Sequence, residues 1–194
     1  MQSKKLSRCW WCGDDPLYVD YHDNEWGVPL HDDKRLFEML ILEGFQAGLS
    51  WLTILRKREN FRRAFAGFNV KKVAAFDARD IKRLMADAGI VRNLLKIKSA
   101  VINARCFMEV QREFGSFDKY IWGFTGGKTL RRPRGMSKEN LPVTSPESDA
   151  LSKDLKKRGF KFVGSTIIYA HMQATGMVDD HVKDCFRAKR AKAR

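Results

Sequence analysis

Apolar side chains recur at helical spacing from residue 36 to 47. Leu36, Leu40 and Ala47 fall on one line at 100° per residue, with Phe37, Met39 and Gly44 beside them. Aspartates 32 and 33 supply an N-cap, so the pattern predicts a helix running through about Ala47. One position breaks the stripe: Glu43 lies on the apolar line, whereas Glu38 falls on the opposite face beside Arg35, where water would solvate it. A carboxylate on a buried stripe is expensive unless it has a partner or a task.

The remaining pattern is also helical. A second helix is expected from Trp51 to about Lys57, with Phe61, Phe65 and Phe68 continuing at helical spacing, and a short one from Val70 to Phe76. Asp77 and Asp80 form a near capping box ahead of Ile81, Leu84, Met85 and Ala88, and Gly89 is expected to end that helix. After the turn AGIVRN, a long helix places Leu94, Ile97, Val101, Ala104 and Met108 on one face. Ser145 with Pro146 opens a helix that ends in Lys156, Lys157, Arg158 and Gly159, and another runs from about Ser165 to Thr175. Cys9 to Pro16 reads as loop, and Tyr18, Tyr21, His22 and Trp26 follow in a polar stretch ending at Gly27 and Pro29. The segment 125–146 reads as a basic loop with Arg131, Arg132 and Arg134. No strand pairing and no repeat emerges, so the class is all-α. Residues 1–194 are expected to form a single domain, with flexible basic tails at 1–8 and 187–194.

Charge changes this picture. With 37 Lys and Arg against 23 Asp and Glu, the chain carries a formal charge of +14, which points to a polyanionic partner, most simply nucleic acid. No apolar run is long enough for a membrane span, and the first residues lack a signal-peptide core. A cytoplasmic monomer is the expectation, in which four cysteines serve as thiols or metal ligands.

Three constellations carry chemistry. Cys9 and His22 near the start, with His181 and Cys185 as HVKDC near the end, make a Cys2His2 zinc set. The i, i+4 spacing would put the last two on one helix face, and Cys12 competes as a ligand through its CxxC. Tyr18, Tyr21, Trp26 and Trp51 bracket Glu43 in sequence, and flat rings around one carboxylate can hold a planar, electron-poor base. The turn from Ala88 to Asn93, with Arg92, Lys96 and Lys98 nearby, can present backbone N–H groups to a phosphate. The plain alternatives are unrelated thiols, ordinary aromatic core and a simple helical corner.

Over nearly the whole chain, from Cys9 to Cys185, the sequence resembles the DNA-3-methyladenine glycosylase I family, a branch of the helix-hairpin-helix base-excision glycosylases. The segments DPLYVDYHDNEWGVP, LFEMLILEGFQAGLSW, DAGIVRNLLKIKSAVINAR, SDALSKDLKKRGFKFVGSTIIY and DDHVKDC carry the resemblance. It implies an all-helical fold with a structural zinc ion clasping the termini through Cys9, His22, His181 and Cys185, which demotes Cys12. It implies Glu43 as the catalytic and base-reading carboxylate, with Tyr18, Tyr21, Trp26, Trp51 and Trp11 around the base. Gly48 and Leu49 then enter the duplex, and Gly89 and Arg92 grip its backbone. The implied activity is hydrolysis of the N-glycosidic bond of 3-methyladenine in double-stranded DNA, leaving an abasic site. Residues 93–117 contain no Asp, as in that branch, so no strong catalytic base is expected there. The rival is a non-catalytic DNA-binding module that kept the fold and clasp.

Overall fold

In the computed structural model of the chain, residues 6–131 and 137–190 are described; Arg132 and Arg134 of the basic loop, like 1–5 and 191–194 of the tails, lie outside them. The protein is helical, as expected: α1 (Pro16–Asn24), α2 (Asp33–Gln46), α3 (Trp51–Ala64), α4 (Val70–Ala74), α5 (Ala78–Ala86), α6 (Leu94–Phe114), α7 (Phe117–Gly123), α8 (Pro146–Lys157), α9 (Ser165–Ala174) and α10 (Phe186–Arg190).

Helix α2 is the axis of the fold. Every residue from Leu36 to Phe45 is buried, because α3, α6, α7 and α9 pack around it. Phe37, Phe45, Phe61, Phe65, Phe68, Phe107 and Phe117 fill the space between these helices. This corrects the expectation for Glu38. Its face of α2 is not solvated but meets α3, where Arg58 Nε donates at 2.6 Å and Arg62 Nη2 at 2.8 Å. Arg58, itself buried, also reaches Glu25 just beyond α1 at 2.8 Å, so one guanidinium fastens three helices.

The caps read from sequence hold. Asp32 accepts from Arg35 N, the capping box of Asp77 and Asp80 is complete, and Ser145 caps α8. Asp33 does something else: it accepts from the backbone N–H groups of Phe117 and Asp118 at 3.0 and 2.8 Å and so seats α7, which the sequence pattern missed.

Other expectations need completing or correcting. The polar stretch from Tyr18, for which the sequence pattern gives no element, is helical, because Asp15 caps α1 and Pro16 occupies its first turn. Cys9 is followed by a 3-10 turn, Trp10–Cys12. Helix α5 stops at Ala86, before Gly89. Leu94 is 42% exposed, because the first turn of α6 projects beyond the core, and Met108 is only half-buried. Among the described residues one strand pairing exists: Leu130–Arg131 (β1) runs parallel to Val178–Asp179 (β2). The segment after Cys185 begins α10 rather than a disordered tail. Arg8, expected in a loose leader, is held by Asp23 at 2.7–3.0 Å.

Candidate functional site

Helix α2 delivers Glu43 to the floor of an open-mouthed pocket. The walls are Trp11, Tyr18, Tyr21, Trp26 and Trp51, so the structure gathers every ring singled out in the sequence. Their placement is local in origin. Tyr18 and Tyr21 are one turn apart on α1, and their rings stack at 6.5 Å. Trp51 is the first residue of α3, 5.6 Å from Tyr21, and Trp11 in the 3-10 turn lies 4.9 Å from Trp26 and 5.1 Å from Tyr18.

Glu43 is buried, and among the described residues its carboxylate has no hydrogen bond or ion pair. Burial alone pushes its pKa up to about 8. The paired Glu38 on the same helix shows what a structural carboxylate looks like here. Burial also pushes Tyr18 up to about 12 and Tyr21 well above the phenol range, so both remain neutral hydroxyls. The Trp51 indole N–H has no acceptor either. The pocket thus offers π-faces, neutral donors and one unpaired carboxyl group. Sequence reasoning missed Gln46, Leu141, Ala170 and Gln173 in the lining. Gln46 sits one turn after Glu43 and could have been found by helical spacing; the others arrive from distant segments with no local signal.

Next to this pocket, Cys9, His22, His181 and Cys185 come together, all buried, with their ligand atoms within 4.8 Å of one another. The sequence placed the last two on a helix, but residues 181–185 form a turn closed by Cys185 N donating to Val182 O at 2.8 Å. The hydrogen bond from Cys9, then those from His181 and His22, hold the Cys185 thiol far below its ordinary pKa, which favours a thiolate ligand. Behind His22, Asp23 lies 2.8 Å from Nδ1 and fixes the ring. Cys12 stands outside the group, its thiol on the Cys9 carbonyl at 3.1 Å. Gly27 makes the approach possible, since a Cβ there would lie 2.9 Å from His181 Nε2. Such a buried set can hold one metal ion.

The remaining candidates lie on the surface. Gly48, at φ +80°, turns the chain between α2 and α3, and Leu49 is exposed at its tip. Arg92 and Lys98 are exposed at the α5–α6 hairpin. Lys96 is not: it is buried, and its ammonium donates to the carbonyls of Phe45 and Ala47. It is therefore not a phosphate contact.

A family profile described as methyladenine glycosylase matches residues 11–188. The chain is 49% identical over 180 residues to DNA-3-methyladenine glycosylase 1 of Escherichia coli (strain K12), covering 93% of this chain and 96% of that one. Among solved structures, a 3-methyladenine DNA glycosylase I superposes with a TM-score of 0.90 at 48% identity, over 93% of this chain and 98% of the other. A variant of 3-methyladenine DNA glycosylase I in complex with 3-methyladenine gives a TM-score of 0.88 at 39% identity, over 92% and 96%.

Proposed function

This chain belongs to the methyladenine glycosylase family, and from that membership and its pocket we infer that it excises 3-methyladenine from alkylated DNA, hydrolysing the N-glycosidic bond and leaving an abasic site. One observation carries the assignment to this pocket: Glu43 is the buried carboxylate that the fold leaves unpaired, and it sits among rings.

The chemistry follows from the lesion. Methylation at N3 makes the adenine in DNA cationic, so the base is already an activated leaving group and needs no strong acid. The protein must extrude it, hold it and let water capture the sugar. Extrusion costs a few kcal/mol, less at a damaged pair. Stacking on the tyrosine and tryptophan rings offsets this by roughly 1–3 kcal/mol per base. Glu43 is largely protonated in the empty pocket at neutral pH, and a cationic base draws it toward the carboxylate, which accepts from the exocyclic amine. Neutral adenine offers the amine without the charge, so discrimination is electrostatic. The phenols Tyr18 and Tyr21 remain neutral and shape the slot. On this reading the exposed Leu49 enters the duplex where the base leaves, and Arg92 at the hairpin holds the backbone without reading sequence, while Gly89, its N–H bonded to Asp87 Oδ1 at 2.7 Å, serves the turn itself.

Zinc is the metal that the cluster fits best. Zn–S near 2.3 Å and Zn–N near 2.05 Å in a tetrahedron give an S–N edge of about 3.5 Å. The Cys185–His22, Cys185–His181 and Cys9–His181 separations are 3.5, 3.5 and 3.6 Å. Such an ion would supply cross-linking and no chemistry at the base, since all four ligands are protein side chains.

The test is release of base from methylated duplex DNA. Wild type is expected to release 3-methyladenine and leave abasic sites without strand cleavage. Glu43→Gln is expected to weaken binding of 3-methyladenine by about 1.5–3 kcal/mol, the value of a hydrogen bond to a charged group, with affinity for undamaged DNA unchanged. No release by wild type would favour a non-catalytic DNA-binding module; unaltered base binding in the variant would move the pocket elsewhere.

A further inference from the structure

Two lysines at the DNA-facing end turn inward. Lys96, in the first turn of α6 and 8% exposed, donates from Nζ to Phe45 O at 2.9 Å and to Ala47 O at 2.6 Å. These carbonyls belong to the C-terminal end of α2, where backbone oxygens lack intrahelical donors and a cation is favoured. Between them, Gln46 holds the turn that follows: its Nε2 donates to Leu49 O at 2.7 Å, and its carbonyl accepts from Leu49 N at 2.7 Å. On the other flank, Lys57 of α3 donates to Ala88 O at 3.0 Å and Gly89 O at 3.3 Å, and Asn60 Nδ2 to Gly89 O at 3.1 Å. The two helices that flank the Leu49 turn are thus each tied to the hairpin region, the end of α2 to α6 through Lys96 and α3 to the α5–α6 turn through Lys57 and Asn60. Arg92 and Lys98 are left at the surface.

We propose that Lys96 is a positioning residue for base extrusion: it sets the height of Leu49 against the hairpin, so that gripping the backbone and inserting Leu49 are one rigid-body event. This rests on the glycosylase reading above. Lys96 touches neither base nor phosphate. Loss of its ammonium frees the Leu49 turn but leaves Glu43 within the body of α2 and Trp51 at the start of α3. The pocket should still bind a free base, whereas extraction of a base from a duplex should suffer.

The experiment compares Lys96→Met, Leu49→Gly and the double variant with wild type. Single-turnover release of 3-methyladenine from duplex DNA and quenching of tryptophan fluorescence by free 3-methyladenine are both measured, with a thermal melt of each protein. Lys96→Met is expected to lower duplex release by about tenfold to a hundredfold, the scale of a small misplacement of a reacting group, with free-base affinity unchanged. The double variant should lose no more than Leu49→Gly alone, because Lys96 acts through Leu49. Lys96→Arg, which keeps two donors, should recover most of the rate; if Lys96→Met does not fold, Lys96→Gln takes its place. Wild-type release by Lys96→Met, multiplicative losses in the double variant, or an equal fall in free-base affinity would overturn the proposal. A wild type that releases no base from duplex DNA would instead remove the glycosylase reading on which it stands.

Discussion

Glu38 and Glu43 stand five positions apart on one helix, both buried, and among the described residues only Glu38 has partners. The difference sets a pH dependence. Burial raises the Glu43 pKa to about 8 in the folded protein from the ordinary 4.5, so between these values the folded state holds a proton that the unfolded state has lost. Stability therefore falls as pH rises through that window. His171 works the other way: it is fully buried, both ring nitrogens lack partners, and burial lowers its pKa to about 4 from 6.5. Its contribution is complete above pH 6.5 and is lost as pH falls toward 4. Comparing Glu43→Gln with wild type cancels His171 and every other shared group. The variant's advantage in chemical denaturation should grow by about 1.6 kcal/mol from pH 6.5 to 8, from about 1.36 kcal/mol per unit with the slope falling to half as pH reaches the folded pKa. A constant difference across that range would mean that Glu43 is already ionised in the empty pocket. Glu43 was legible in the sequence because it was the one charge on an otherwise apolar stripe. The burial of Glu38 was not, because Arg58 lies in another helix and α2 is covered on all sides.

Helices with capping residues and long apolar periodicity, such as α2, α5, α6 and α8, could be read directly. Helix α1 could not, because its tyrosines and histidine serve the pocket and the metal-ligand set and blur the apolar stripe. Its Asp15–Pro16 start was nonetheless a visible signal. Helix α7 is seated by Asp33 across the molecule, and that dependence leaves no local mark. The hairpin between α5 and α6 was legible as a turn but not in its loading. The Gly89 N–H, a donor a phosphate would need, is spent on Asp87 Oδ1 at 2.7 Å, and Lys96 serves α2, which leaves exposed cations such as Arg92 to meet a phosphate. Arg92→Ala should weaken binding to undamaged duplexes of different sequence alike, and should flatten the dependence of log affinity on log salt by about 0.9. A change of sequence preference in a salt titration would show that Arg92 reads bases.

At the scale of the whole molecule, the metal-ligand set and the base pocket share a wall. Trp26 meets His181 edge-on at 4.7 Å, and Trp11 meets His22 at 5.2 Å. Cys185→Ala should lose metal by elemental analysis, melt earlier, and bind 3-methyladenine less tightly because Trp11 and Trp26 lose their backing. Full metal content in that variant would make Cys12 the fourth ligand. The four residues and their convergence could be read from the sequence, but the local geometry could not, because it depends on a turn at 181–185 where a helix was expected and on the glycine at position 27.

The same junction makes the molecule a ring. Phe186 N donates to Ser7 O at 2.9 Å, and the His22–Cys185 pair spans 163 residues. A metal ion bridging residues of that span would withdraw conformational freedom from the unfolded chain worth about 5 kcal/mol, by analogy with a disulfide. Where such a ring is cut is a matter of chain order, not of contacts. If the two ends were spliced at the clasp and the chain reopened in the 137–145 stretch, every contact described could persist, yet the four ligands would become neighbours in sequence. The unfolded chain could then hold the ion as a local chelate. In the natural order, metal affinity reports on the folding of the whole protein; in the permuted order the two would come apart.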